Sequence, residues 1–432
     1  MLAFAAILAA AAVGFTADLS PWLQVPTFDE LTASRSGSIA SPHAASPKEA
    51  PPKPALEGVL DEHLETLRRQ SLLPSDQGLY VATLDGGAPL VAHNADRLYN
   101  VASLTKLVTT AVALDQFPAD HRFRTEIVAG GLVVDGVLEG DLGVRSGGDP
   151  TLGSKTFPDI VSALKAQGID RVAGSLVVSG PFTFRSFDET PEAIARFGSA
   201  LERAGIEIGG GARAAEQVDG VVLIRIESDR VGEIIQRMNA HSVNWIADNL
   251  GTTVGGAAAL RAFLRDRLAL GPSEMVITNG SGLDDNRLTA RGMVAVVQAL
   301  VNLARERGLA EHDVIPIAGV DSSTVRTRFQ DEEFRGSVVA KTGTQANVDG
   351  GVATLAGIAH TKERGAVAFA ILNSHGDVHS YRKWEDAVLR SVVEASGGPT
   401  ALSRAQNAVS PSPSHTIRHL GRASVTTEEV GE

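Results

Sequence analysis

Strand-like runs stand at both ends of the globular stretch of this chain, and its fold has to bring them together. Near the start, Gly78-Leu79-Tyr80-Val81-Ala82-Thr83-Leu84 and Pro89-Leu90-Val91-Ala92-His93 flank Asp85-Gly86-Gly87, a hairpin turn signal. Near the end, strands are expected at Gly336–Lys341, Gly351–Ala359 and Ala366–Leu372, followed by an amphipathic helix from Trp384 to Val393. Helical spacing also marks Glu57 to Gln70, the apolar run Leu104 to Leu114, and segments at 233–250, 256–268 and 289–307. A hairpin, a helix and a closing run of strands capped by a helix predict an α+β body whose sheet is assembled from both ends. Between about 116 and 232 the texture changes to glycine-punctuated alternation, as in Gly174-Ser175-Leu176-Val177-Val178. That stretch reads as a mainly β insertion with a little helix.

The ends of the chain differ from this body. Met1 to Ala17 carries no charged side chain and suits a signal-peptide core or a short membrane anchor. No Lys or Arg precedes the apolar run, and no convincing small-x-small cleavage site closes it. Residues 32–54 are rich in Ser, Ala and Pro and read as an extended tether. Beyond Gly397, a Ser-Pro run and mixed charges read as a disordered tail. The expected division is therefore a signal peptide or anchor (1–31), a linker (32–54), a catalytic domain (55–115 and 233–396), an inserted subdomain (116–232) and a tail (397–432). An apolar start, a stalk and a globular body suggest an exported enzyme working outside a membrane. A formal charge of −12 argues against a nucleic-acid binder. The absence of cysteine excludes disulfides, thiolate catalysis and Cys-ligated zinc.

Three short strings carry the chemistry. Ser-x-x-Lys occurs at Ser103/Lys106, Ser162/Lys165 and Ser380/Lys383, and context separates them. Ser103 opens the apolar helix, so Lys106 shares its face and sits among Leu107, Val108, Ala111 and Val112. Burial lowers a lysine pKa, which a base working near neutrality requires. Ser162/Lys165 and Ser380/Lys383 lie among charged and polar neighbours and read as solvated faces. Ser103 alone would equally be an N-cap serine beside a snorkelling lysine. Ser242-Val243-Asn244, on its own a cap or turn, would otherwise project a hydroxyl and an amide beside Lys106. Lys341-Thr342-Gly343-Thr344 ends a strand, and alternation sends Lys341 and Gly343 to one face. Glycine would leave that face bare for a substrate backbone, and Lys341 would add charge that further depresses Lys106. Thr344 would offer a hydroxyl and an N–H to a terminal carboxylate. His375 and His379 around Asp377 lack a further ligand and read as a polar loop.

The ordered set resembles the penicillin-interacting serine DD-peptidases. Leu142–Leu152, Met238–Ser242, Asn279–Leu283 with Asn286–Ala290, and Pro316–Asp321 point to one branch. That branch is the D-alanyl-D-alanine carboxypeptidase/endopeptidases of the type-4, class C low-molecular-mass penicillin-binding protein kind. The resemblance covers about 56–395. It implies a β-lactamase/transpeptidase-like domain, an antiparallel sheet flanked by helices, carrying an inserted subdomain. It further implies Ser103 as the acylated nucleophile and Lys106 as its base, with Ser242, Asn244 and Lys341 moving protons and placing substrate. Thr342, Gly343 and Thr344 would bind substrate, and the N–H groups of Ser103 and Thr344 would form an oxyanion hole. The implied substrates are peptidoglycan stem peptides, with β-lactams as covalent inhibitors and no metal or organic cofactor. Val243 stands where relatives commonly have Asp. A β-lactamase or esterase would use the same residues, and a catalytically silent peptidoglycan-binding protein would keep the same fold.

Overall fold

Alternating apolar residues in five separate segments build the sheet that the rest of the body packs against. The structure is a computed structural model that describes residues 56, 58–153, 155–185, 190–402 and 413–420. These residues all lie in one compact unit, Pro42–Glu432. The expected signal peptide or anchor, the linker, and tail residues 403–412 and 421–432 fall outside the described residues. In chain order the body contains helix α1 (Asp61–Arg69), strands β1 (Gln77–Thr83) and β2 (Pro89–His93), and helix α2 (Thr105–Gln116). After a long excursion come helices α3 (Val231–His241), α4 (Asn244–Thr253) and α5 (Ala290–Glu306). Strands β3 (Val338–Gln345), β4 (Val352–Thr361) and β5 (Gly365–Asn373) and helix α6 (Val378–Glu394) close the body.

The sheet runs β3-β4-β5-β1-β2, antiparallel throughout. Gln77 to Thr83 of β1 pair with Asn373 to Val367 of β5, so the two ends of the body zip together residue by residue. The strands are buried on both faces because helices cover each side. On one face, Leu79, Val81, Leu355, Phe369 and Ile371 pack with Leu67 of α1 and Tyr381, Val388, Leu389 and Val392 of α6. The other face meets α5, which in turn lies against α2. Every residue of α2 from Thr105 to Leu114 is buried, as expected of a helix that is apolar on all sides. Lys106 lies inside that run.

Residues 122–230 contribute five strands of a six-stranded sheet in the order Ala212–Ala214, Leu176–Ser179, Leu142–Ser146, Arg122–Ala129, Val221–Arg230, and His415–His419 is the sixth. Its core is built from its own residues, among them Ile127, Val144, Leu176, Leu223 and Ile226. Aromatics are scarce in this chain at 5%, yet Phe157, Phe182, Phe184 and Phe197 cluster here, their ring centroids 5.0–5.8 Å apart.

The last strand corrects the expectation of a disordered tail. His415–His419 pairs antiparallel with the edge of Val221–Arg230, Ile417 opposite Ile226, and removes an open sheet edge. Ser414 donates its N–H (3.0 Å) and its hydroxyl to Asp229. The buried His415 ring meets Asp149 Oδ2 at 2.9 Å. Residues 397–402 also leave the expected pattern. Thr400 N–H donates to the His360 carbonyl (2.9 Å) and Leu402 N–H to that of Gly336 (2.9 Å), so they line the sheet margin.

Candidate active site

The nucleophile turn is held in a conformation that its residues do not favour. Ala102, immediately before Ser103, has φ +45°, in the left-handed region that non-glycine residues avoid. Neighbouring groups over-determine it. Asn100 Oδ1 accepts from Ala102 N–H (2.8 Å), and Thr105 Oγ1 donates to the Ala102 carbonyl (2.9 Å). Val101 N–H donates to the Asn286 carbonyl (3.0 Å), and Thr354 Oγ1 donates to the Val101 carbonyl (3.2 Å). Ser103 therefore sits in a short 3₁₀ turn, Ala102–Leu104, and the α-helix proper starts at Thr105. The sequence reading had the helix opening at Ser103, two residues earlier.

Lys106 is fully buried, and its Nζ has three partners: Ser103 Oγ at 3.0 Å, Asn244 Oδ1 at 2.7 Å and the Ser281 carbonyl at 2.7 Å. The last two can only accept, so each claims an N–H. When the amine is neutral, its remaining tetrahedral position, the lone pair, faces the Ser103 hydroxyl. Burial brings this lysine from 10.5 down to about 7, against an opposing pull from Asp248. Asp248 is itself raised by burial, despite the hydrogen bond from Ser281 N–H (2.8 Å) and the charge of Lys106. For both groups desolvation outweighs their mutual attraction.

Ser242 caps α3 with φ +54°, a left-handed position where glycine would be at ease. Its hydroxyl gives serine a use that glycine would lack, since Lys341 Nζ lies 2.9 Å from Ser242 Oγ. The second string thus splits between two lysines: Asn244 meets Lys106 and Ser242 meets Lys341. Lys341 is fully buried, and its Nζ also donates to the Thr342 carbonyl (2.7 Å). Desolvation first, and the charge of Lys106 second, hold it well below its usual value. The sequence reading had the charge of Lys341 depressing Lys106; the causes at Lys106 are burial and the opposing Asp248, and it is the charge of Lys106 that adds to burial at Lys341.

Strand alternation also works differently from the expectation. Thr342 and Thr344 line a cleft of about 420 Å³ together with Ser103, Ser242 and Thr324. Gly343 faces inward instead. A Cβ there would stand 2.2 Å from Thr354 Oγ1, 2.7 Å from the Val101 carbonyl and 3.1 Å from Ala102 Cβ. Its bare face admits the nucleophile turn rather than substrate backbone.

Ser103, Lys106, Ser242, Asn244, Lys341, Thr342 and Thr344 are therefore brought together, with Gly343 as the spacer behind them. Sequence reasoning missed Asp248, four residues after Asn244 on α4 and so on the same helical face. It passed over Ser281 as a catalytic-site contact, although the Asn279–Leu283 string had been noted. Lys383, read as a solvated lysine, is indeed exposed, and with His379, Arg382 and Asp386 of α6 it also lines the cleft. Among the described residues no group of three or more His, Cys, Asp or Glu side chains could hold a metal ion. No helix of the described residues is long and apolar enough to cross a membrane.

Comparison with known proteins adds to this geometry. The model of the D-Ala-D-Ala carboxypeptidase 3 (S13) family matches residues 56–181 and 179–392. Carboxypeptidase DacB of Mycolicibacterium smegmatis is 26% identical over 381 residues, covering 72% of this chain and 80% of that protein. D-alanyl-D-alanine carboxypeptidase DacB of Haemophilus influenzae is 28% identical over 104 residues, spanning 24% of this chain and only 22% of that protein. Among solved structures, Bd3459, a predatory peptidoglycan endopeptidase from Bdellovibrio bacteriovorus, superposes with a TM-score of 0.61 at 22% identity, over 78% of this chain and 96% of its own. Its penicillin G-acylated form, in complex with an immunity protein, gives 0.59 at 22% identity and the same coverage. These likenesses show the fold.

Proposed function

The chain belongs to the D-Ala-D-Ala carboxypeptidase 3 (S13) family, and from that premise we propose that it hydrolyses the D-Ala-D-Ala end, or a D-centre crosslink, of peptidoglycan stem peptides. The reaction proceeds through an acyl-enzyme on Ser103. Neutral Lys106 takes the Ser103 proton as Oγ attacks the carbonyl of the penultimate D-residue. The N–H groups of Ser103 and Thr344 receive the developing oxyanion. The proton reaches the leaving amine through Ser242, which Lys341 holds, and the amine departs. Water then attacks the ester, Lys106 again serving as base, and Ser103 is regenerated. Asn244 fixes the lysine, while Thr342 and Thr344 align the substrate along the strand. No metal or organic cofactor has a part in these steps.

The observation that carries this reading is the environment of Lys106. It is a fully buried amine with two fixed acceptors, and its remaining position faces a serine hydroxyl 3.0 Å away. A structural lysine would pair with a carboxylate or reach water. Such substrates lie outside the cytoplasmic membrane, in keeping with an exported protein whose first residues serve as signal or anchor. Residues 116–232 form the inserted subdomain of this enzyme. β-Lactams, which place an activated amide beside a carboxylate, acylate the same serine, as the penicillin-acylated form of Bd3459 suggests.

Purified protein incubated with monomeric pentapeptide and crosslinked dimeric muropeptides is expected to release D-alanine and monomers, both resolved by mass. Faster turnover of nitrocefin than of either muropeptide would instead mark a β-lactamase. Muropeptide binding with no released product would mark a silent receptor.

A further inference from the structure

The stretch of α6 along the cleft has no part in the chemistry above, yet it presents Arg382 and Lys383 in an acidic protein of net charge −12. His379, Arg382, Lys383 and Asp386 follow the i, i+3, i+4, i+7 spacing of a single helical face on α6, and all four line the same cleft as Ser103. Arg382 Nη2 donates to Thr344 Oγ1 at 2.9 Å, which ties this face to the strand that substrate must follow. A guanidinium has five N–H donors, so most of its fork stays available to the cleft.

The neighbouring acids of this turn make their ion pairs with Arg328. Arg328, itself buried, takes Asp386 through Nε (2.7 Å) and Glu385 through Nη1 (3.0 Å). Its Nη2 donates to the backbone carbonyl of Arg382 (3.3 Å), which pins this turn of α6. Among the described residues neither Arg382 nor Lys383 has an ion-pair partner. Lys341, by contrast, cannot serve the cleft as a free cation. It is fully buried, its amine is engaged by Ser242 Oγ and the Thr342 carbonyl, and it is not among the lining residues.

We propose that Arg382 and Lys383 are the counter-cations for the carboxylate of the departing residue, so that the free acid next to the scissile bond is read by α6 rather than by Lys341. This rests on the cleft being a DD-peptidase site. The carboxylate sits beside Thr344, whose hydroxyl Arg382 already orients, and takes a forked pair of N–H bonds from the guanidinium. Lys383 adds a second positive charge one residue along the same face.

The test compares acid and capped ligands on the full chain. Ser103 acylation is timed with benzylpenicillin and with its methyl ester, and release of the last residue is followed from peptides ending in D-Ala or D-alaninamide. The wild type is expected to prefer the free acids. Arg382→Gln with Lys383→Gln is expected to lose about 10- to 100-fold in kcat/KM for the acids, the size of a charge-assisted hydrogen bond, and little for the ester and amide. Arg382→Lys is expected to restore part of the loss. Thermal unfolding checks that these exposed substitutions leave the fold intact. An unchanged preference for the acid in the folded double variant overturns the assignment while leaving the DD-peptidase reading standing. No acylation and no released residue in the wild type overturns both.

Discussion

Lys106→Met is expected to lower the rate of Ser103 acylation by about 10³- to 10⁴-fold, the upper part of the range for loss of a general base. Methionine keeps the length and apolar character of the lysine stem, so the packing of α2 survives and only the amine is lost. The wild-type pH profile should carry the same information. Burial places Lys106 at about 7 rather than 10.5, and only the neutral amine can accept a proton. Acylation should therefore fall about tenfold per unit as pH drops below 7 and level off above it. The apparent midpoint belongs to the coupled pair of Lys106 and Lys341, since burial and the charge of Lys106 hold Lys341 well below its usual value too. In Lys106→Met the acid limb should vanish and the residual rate be flat between pH 5 and 9. Stopped-flow acylation with a chromogenic cephalosporin measures both rates. A variant within tenfold of wild type, or an unchanged acid limb, would remove Lys106 from the role of base.

The second large effect is steric. Gly343→Ala places a methyl group 2.2 Å from Thr354 Oγ1 and 2.7 Å from the Val101 carbonyl. Relieving the overlap pushes β3 away from the nucleophile turn or rotates Thr354 off the Val101 carbonyl that it supports. Such overpacking costs about 1–3 kcal/mol of stability. Its larger consequence is misplacement, since a shift of about 1 Å between nucleophile and oxyanion donors is worth about 10²-fold in rate. The expected outcome is a folded protein with a modestly lowered unfolding temperature and acylation down by at least about a hundredfold. Gly343→Ala that acylates at the wild-type rate would show that the spacer has slack, and that the tight contact with Ala102 does not position Ser103.

What was legible in the sequence follows the reach of each physical signal. The sheet assembled from both ends could be read because alternation and the Asp85-Gly86-Gly87 turn are local patterns with one structural solution. Ser103 could be separated from Ser162 and Ser380 because an apolar helix announces its own burial. Alternation said that Lys341 and Gly343 share a face but not what each face meets, so Gly343 was assigned to substrate when it meets Val101 and Ala102. Lys383 was read as solvated and is exposed, but its place along the cleft was not legible. A charged helical face looks the same whether it borders bulk water or the wall of a cleft. His415–His419 was missed because its residues carry little hydrophobic pattern, and its order comes from backbone pairing to Val221–Arg230 and from Asp149 and Asp229. Asp248 and Ser281 act through Lys106; helical spacing from Asn244 and the Asn279–Leu283 string pointed toward them, and their convergence on the lysine shows their part.

The central claim is that Ser103, and no other serine, is the nucleophile that Lys106 activates. Labelling the full chain with benzylpenicillin, digesting it and locating the penicilloyl mass by fragmentation tests this directly. One adduct per chain is expected, on Ser103, absent from Ser103→Ala and slow to form in Lys106→Met. An adduct on Ser162, Ser242 or Ser380, or none at all on a protein that unfolds cooperatively, would contradict it.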